Sequence, residues 1–111
     1  MIPDGVVTWA EIDLDAIAHN VQAIKAHVGA DTEIIAAVKA NAYGHGLLPV
    51  TRTALDAGAG WLAVHRIQAG VALREAGITA PILLLGHTTR SGVDLVLAND
   101  ITPTVVDRET A

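Results

Sequence analysis

Apolar residues along this chain follow two alternating rhythms, a spacing of three and four and short continuous runs, with glycine, proline or asparagine marking most of the changes between them. The first run, Val6-Val7-Thr8-Trp9-Ala10-Glu11-Ile12, predicts a strand with Val7, Trp9 and Glu11 on one face. Leu14, Ile17, Val21, Ile24 and Val28 then recur at helical spacing, with Asp13 placed to cap the amino end and Gly29 to close the carboxyl end in a left-handed conformation. Ile34-Ile35-Ala36-Ala37-Val38 is short, apolar and partly β-branched, the pattern of a strand buried on both faces of a parallel sheet. A second helix is expected from Leu47 to Ala57, with Pro49 tolerated in its first turn and Gly58 as its stop. Trp61–Val64 and Ile82–Leu85 read as strands around a helix from Ile67 to Ala76 stopped by Gly77. Ser91, with Asp94 three residues on, opens a short helix through Ala98 that Asn99 would cap in the left-handed region; Ile101 to Val106 is the last strand.

One helix in each interval between strands makes a series of βα units, an α/β chain. Right-handed crossovers set such strands side by side, either in a closing (β/α)8 barrel or in an open doubly wound sheet, and four units do not decide between them. Pro103 lacks a ladder donor and suits an edge strand. In both architectures the active site lies at the carboxyl ends of the parallel strands. The register puts Lys39, His65, Gly86 with His87, and Asp107 on that rim.

Of these, Lys39 carries the most chemistry. It ends an apolar run and begins Lys39-Ala40-Asn41-Ala42-Tyr43-Gly44-His45-Gly46, a glycine-punctuated turn. Desolvation makes an ammonium costly at such a place, so it is paired, solvated, or used in its neutral form as a nucleophile or base. A solvated lysine is the bland alternative. Gly44 and Gly46 suit positive φ and close helix approach, and His45 and Asn41 are placed to bond the local backbone.

Composition narrows the partners. Hydrophobic residues make up 51% and charged residues 17%, so the chain builds a core. With 7 basic against 12 acidic side chains and a net charge of −5, the scattered cations argue against nucleic acid or an anionic membrane and for a small polar substrate. No cysteine is present, which removes disulfides and thiolate metal sites, and the five histidines form no helical pair or compact triad, so no metal site is expected. The start of the chain has neither the basic segment nor the apolar stretch of a secretory signal, and cytoplasmic residence is the expectation. No glycine-rich nucleotide loop is found.

The run from Lys39 to Gly46 resembles the signature of the alanine racemases, pyridoxal 5'-phosphate enzymes that interconvert L- and D-alanine. Glu11–Ala16 with Asn20, Leu73-Arg74-Glu75-Ala76-Gly77-Ile78, and the run from Ile82 to Gly86 extend the resemblance over nearly the whole chain. It implies a TIM-type (β/α)8 barrel, of which residues 1–111 are an amino-terminal portion of about four βα units. The preceding strand would join a carboxyl-terminal β domain that these residues do not include. It further implies a homodimeric isomerase that supplies D-alanine as a cell-wall precursor, with Lys39 bonding pyridoxal phosphate covalently and serving one face of the substrate Cα as a base. Tyr43 would donate to the phosphate, Leu85 would pack beside the cofactor, and a tyrosine from the partner subunit would serve the opposite face. The family's small residues before an acidic helix start are replaced here by His65-Arg66-Ile67-Gln68-Ala69-Gly70, so His65, Arg66 and His87 receive no role. Two other readings stay open: a broader-specificity amino-acid racemase, and a non-catalytic barrel that holds pyridoxal phosphate. The 111 residues alone are expected to be inactive, and marginally folded or self-associating.

Overall fold

A computed structural model describes residues 1–111. Its elements are helix α1 (Leu14–Val28), strand β1 (Ile35–Ala37), a short helical turn α2 (Lys39–Tyr43), α3 (Leu47–Ala57), β2 (Trp61–Val64), α4 (Ile67–Glu75), β3 (Ile82–His87), a 3₁₀ turn (Arg90–Gly92), α5 (Val93–Ala98) and β4 (Thr102–Thr104). The four strands are parallel and neighbour one another in chain order, β1-β2-β3-β4. Sequential order has no reversal point, which a doubly wound sheet requires.

Helix placement decides the architecture in the same direction. Leu62, Val64, Ile82 and Leu84 form one core with Leu73 of α4 and Val96 of α5, and Leu47, Leu48, Val50 and Leu55 around α3 pack against it. These helices therefore lie on a single face of the sheet. A parallel sheet with sequential strands and helices on one side is a stretch of a TIM-type barrel wall.

The other face is largely uncovered. Ile35 is 49% exposed and Leu85 42%, so the expectation that β1 is buried on both faces is not met. The inner face of a barrel is covered by side chains from strands across the barrel, and four adjacent strands have none opposite them. The expected strand at Val6–Ile12 is likewise unpaired: Val7 and Trp9 are exposed and no ladder includes them. A strand exists only as one side of a ladder, and none of the four strands runs beside this segment.

Local signals place most boundaries. The Ala16 amide donates to Asp13 Oδ1 at 3.0 Å, and Gly29 ends α1 with φ 87°, though with ψ 173° rather than the left-handed value expected. Three details differ in the second half. Ser91 caps nothing: it falls inside the 3₁₀ turn, and its hydroxyl lies 3.0 Å from that of Thr89. Asp100, not Asn99, takes positive φ (49°), while the Asn99 side-chain Nδ2 donates to the Leu95 carbonyl at 2.9 Å. Strand β3 runs through His87, and β4 is shorter than expected and lies at the sheet edge with Pro103 inside it. Gly86 allows that longer β3, because a Cβ there would run into the His65 carbonyl oxygen.

Beneath the sheet, Arg74 of α4 ties the two loops that lead into β3 and β4. Its guanidinium donates to the carbonyls of Ile78 and Ala80 at 2.8 Å each, of Asn99 at 2.8 Å and of Asp100 at 2.9 Å. A planar fork with five donors suits four diverging acceptors. No helix is long and apolar enough to cross a membrane.

Candidate functional site

The carboxyl end of β1 runs directly into a conformation that L-residues avoid. Ala40, Asn41, Ala42 and Tyr43 all have positive φ, from 51° to 57°, and Gly44 follows at 85°. The four non-glycine residues form one turn of left-handed helix, which costs about 1–2 kcal/mol per residue for L-amino acids. A cost on that scale persists only where the surroundings enforce it, and such segments concentrate at functional sites.

Several hydrogen bonds enforce it here. The Ala42 amide donates to the Val38 carbonyl at 2.9 Å, and the Gly44 amide to Ala40 at 3.0 Å. The Gly46 amide donates to Asn41 at 3.0 Å, and the Asn41 side-chain oxygen accepts from the Leu47 amide at 2.8 Å, capping α3 from outside the helix. His45 Nδ1 lies 3.1 Å from the carbonyl oxygens of both Ala42 and Tyr43. Asn41 and His45 thus do the backbone work expected of them. Ala42 is buried beneath the turn at 5% exposure.

This turn holds Lys39 and Tyr43 at the sheet's carboxyl edge, four residues and about one helical turn apart. Lys39 is half-buried and has no carboxylate partner, since the chain's one ion pair joins Arg90 to Glu109. Tyr43 is 59% exposed, so its phenol is open to a ligand. Leu85 stands on the bare face two strands away, near the end of β3.

The remaining rim positions sort themselves by contact. His65 follows β2 directly, and its ring and carbonyl lie against Gly86. His87 ends β3, close enough to Asp107 for its positive charge to help hold that carboxyl below the ordinary aspartate value of 3.8. The larger causes are the amide and hydroxyl of Thr110, which donate to Asp107 Oδ1 at 2.9 and 2.8 Å. Asp107 therefore caps the turn that follows it. No group of three or more metal-ligating side chains is found.

The chain's three cavities lie elsewhere: one of about 140 Å³ between α5 and β4, and two along α1, both of which also touch α3. None is lined by Lys39, Tyr43 or Leu85. These three residues stand on an open sheet edge, which becomes a concavity only when further strands curve around it.

An amine without a carboxylate partner and an exposed phenol on the same turn are groups able to hold an aldehyde and a phosphate. The residues present therefore fit pyridoxal phosphate. Two features escaped sequence reading. The left-handed turn was hidden because alanine carries no signal for positive φ; only Asn41 and the flanking Gly44 hinted at it. The Arg74 clamp was hidden because its acceptors are backbone carbonyls, up to 26 residues away in the chain.

Comparison with known proteins bears on the chain as a whole. The alanine racemase amino-terminal domain matches residues 12–111. Alanine racemase 2 of Oceanobacillus iheyensis is 47% identical over 104 residues, 94% of this chain and 26% of that protein. The alanine racemase of Anoxybacillus flavithermus is 54% identical over 100 residues, covering 88% of this chain and 26% of its own length. Among solved structures, alanine racemase from Bacillus anthracis with bound L-Ala-P superposes with a TM-score of 0.92 at 47% identity, covering 98% of this chain and 28% of that one. Alanine racemase from Corynebacterium glutamicum gives a TM-score of 0.84 at 32% identity. The chain spans about a quarter of the length of the curated relatives it matches.

Proposed function

The chain belongs to the alanine racemase family, and from that premise we propose that it forms the amino-terminal portion, residues 1–111, of a pyridoxal-phosphate-binding barrel that racemises alanine. The observation that carries this reading is Lys39, unpaired and half-buried at the end of β1, held one turn from the exposed phenol of Tyr43.

In this reading Lys39 Nζ would hold the cofactor through its aldehyde carbon, with loss of water, until the substrate's own amine takes that place, and the Tyr43 hydroxyl would donate a hydrogen bond to a phosphate oxygen. Leu85 would cover the cofactor from β3. When bound, the cofactor's ring delocalises the negative charge left on the substrate Cα after proton removal. Lys39 Nζ, freed by that exchange, would take or return the Cα proton on one face. Racemisation also needs a base on the opposite face. The family resemblance implies that this base is a tyrosine from a partner subunit, outside these residues. Alanine as substrate belongs to the same proposal and rests on the relatives' names, pairing into a homodimer rests on the family resemblance, and residence in the cytoplasm on the sequence expectation above.

The test is covalent capture. Pyridoxal phosphate added to the protein, fixed by borohydride and mapped by mass spectrometry, is expected on Lys39, with the cofactor's absorbance band lost in Lys39→Ala. Labelling spread over other lysines, or a band that survives the substitution, removes the assignment. Coupled D-alanine production then separates a racemase from a barrel that only holds the cofactor, and turnover on other amino acids marks a broader racemase.

A further inference from the structure

We propose that His45 is a positioning residue: its Nδ1–H locks the left-handed turn and so sets how the Lys39 amine and the Tyr43 phenol stand relative to each other. The inference rests on the reading of those two groups as the ones that hold the cofactor.

The turn is pinned at its two ends by different means. At its start, backbone bonds suffice: Ala42 donates to Val38 and Gly44 to Ala40. At its end, the Tyr43 carbonyl belongs to the residue that carries the phenol, and the side-chain group on it is His45 Nδ1, at 3.1 Å. The Ala42 carbonyl receives the same nitrogen at 3.1 Å together with the His45 amide at 3.1 Å. Both partners are carbonyl oxygens, which only accept, so Nδ1 must carry the hydrogen and the tautomer is determined. The residue is itself exposed, and no protein hydrogen bond engages its other ring nitrogen.

Four consecutive L-residues at positive φ relax toward right-handed or extended backbone when a restraint is removed. Relaxation at Tyr43 changes where its side chain stands relative to Lys39, because a change of sign in φ re-aims the Cα–Cβ bond. His45 thus acts on the cofactor through Tyr43, without touching it. The geometry also specifies the reach of the donor. Asparagine places an N–H at the δ position, as Nδ1 of histidine does, whereas glutamine places it one carbon further out.

The experiment compares His45→Ala, His45→Asn and His45→Gln in the full chain, by hydrogen–deuterium exchange of peptides spanning residues 40–47 and by the dissociation constant for pyridoxal phosphate read from its absorbance. His45→Ala is expected to raise both exchange in that segment and the dissociation constant about tenfold, the loss of one or two hydrogen bonds, with exchange in β2 and β3 unchanged. His45→Asn is expected to restore both and His45→Gln neither. Wild-type exchange and affinity in His45→Ala overturn the proposal, as does equal rescue by asparagine and glutamine, which would reduce the residue to bulk. Should His45→Ala fail to fold, the contrast between asparagine and glutamine decides alone. If the wild-type protein captures no pyridoxal phosphate, the proposed function falls, and the exchange series still decides whether His45 holds the turn.

Discussion

Thr51 shows how a single side chain reveals the balance of forces in this chain. It is wholly buried in α3, and its hydroxyl has no hydrogen-bond partner. An unmade hydrogen bond in the interior costs more than an apolar group of the same shape, so Thr51→Val is expected to stabilise the protein by about 1 kcal/mol, seen as a higher denaturation midpoint in urea. A lower midpoint would mean that the hydroxyl finds an internal partner. Legibility at this scale follows the range of the interaction. Asp13, Asn41 and His45 bond groups within a few residues, and their roles were readable from order along the chain. Thr51 and Arg74 answer to neighbours that only folding brings together.

At the scale of elements, α1, α3 and β2 fall where periodicity and stop residues put them, because apolar spacing and glycine act locally. The second half is less legible: the 3₁₀ turn, the longer β3, the shorter β4 and the left-handed Asp100 all depend on what lies alongside. Arg74 is the element-scale organiser there. Its four carbonyl acceptors fix the loops entering β3 and β4, and with them the entry of both strands into the sheet. Arg74→Ala is expected to destabilise by about 2–3 kcal/mol, and Arg74→Lys by nearly as much, since one ammonium cannot span four diverging acceptors. Thermal unfolding of the two variants checks this; a lysine variant as stable as wild type would show that charge rather than shape matters at this position.

Across the whole molecule the decisive feature is asymmetry between the two faces of the sheet. One face packs a core of Leu62, Val64, Ile82 and Leu84 under the helices; the other exposes Ile35 and Leu85. Strands β1 and β4 each have one unpaired edge, and Val105 and Val106 beyond β4 are more than half exposed. Unpaired edges beside apolar surface promote association. The 111 residues on their own are therefore expected to self-associate at micromolar concentration, as sedimentation velocity would record. A stable, well-dispersed monomer would show that the bare face is closed by rearrangement within the chain.

What the amino-acid order determined by itself was the succession of βα units, the caps and stops of the first helices, and the lysine-to-glycine turn that carries the family signature. These rest on interactions within a few residues, and pattern alone encodes them. Only the tertiary structure decided that the helices share one face, that Gly86 stands against His65, that Arg74 binds two distant loops, and that Ala40 to Tyr43 wind left-handed. Each of these depends on groups far apart in sequence, or on a backbone state whose cost is met by hydrogen bonds that a string of residues does not display.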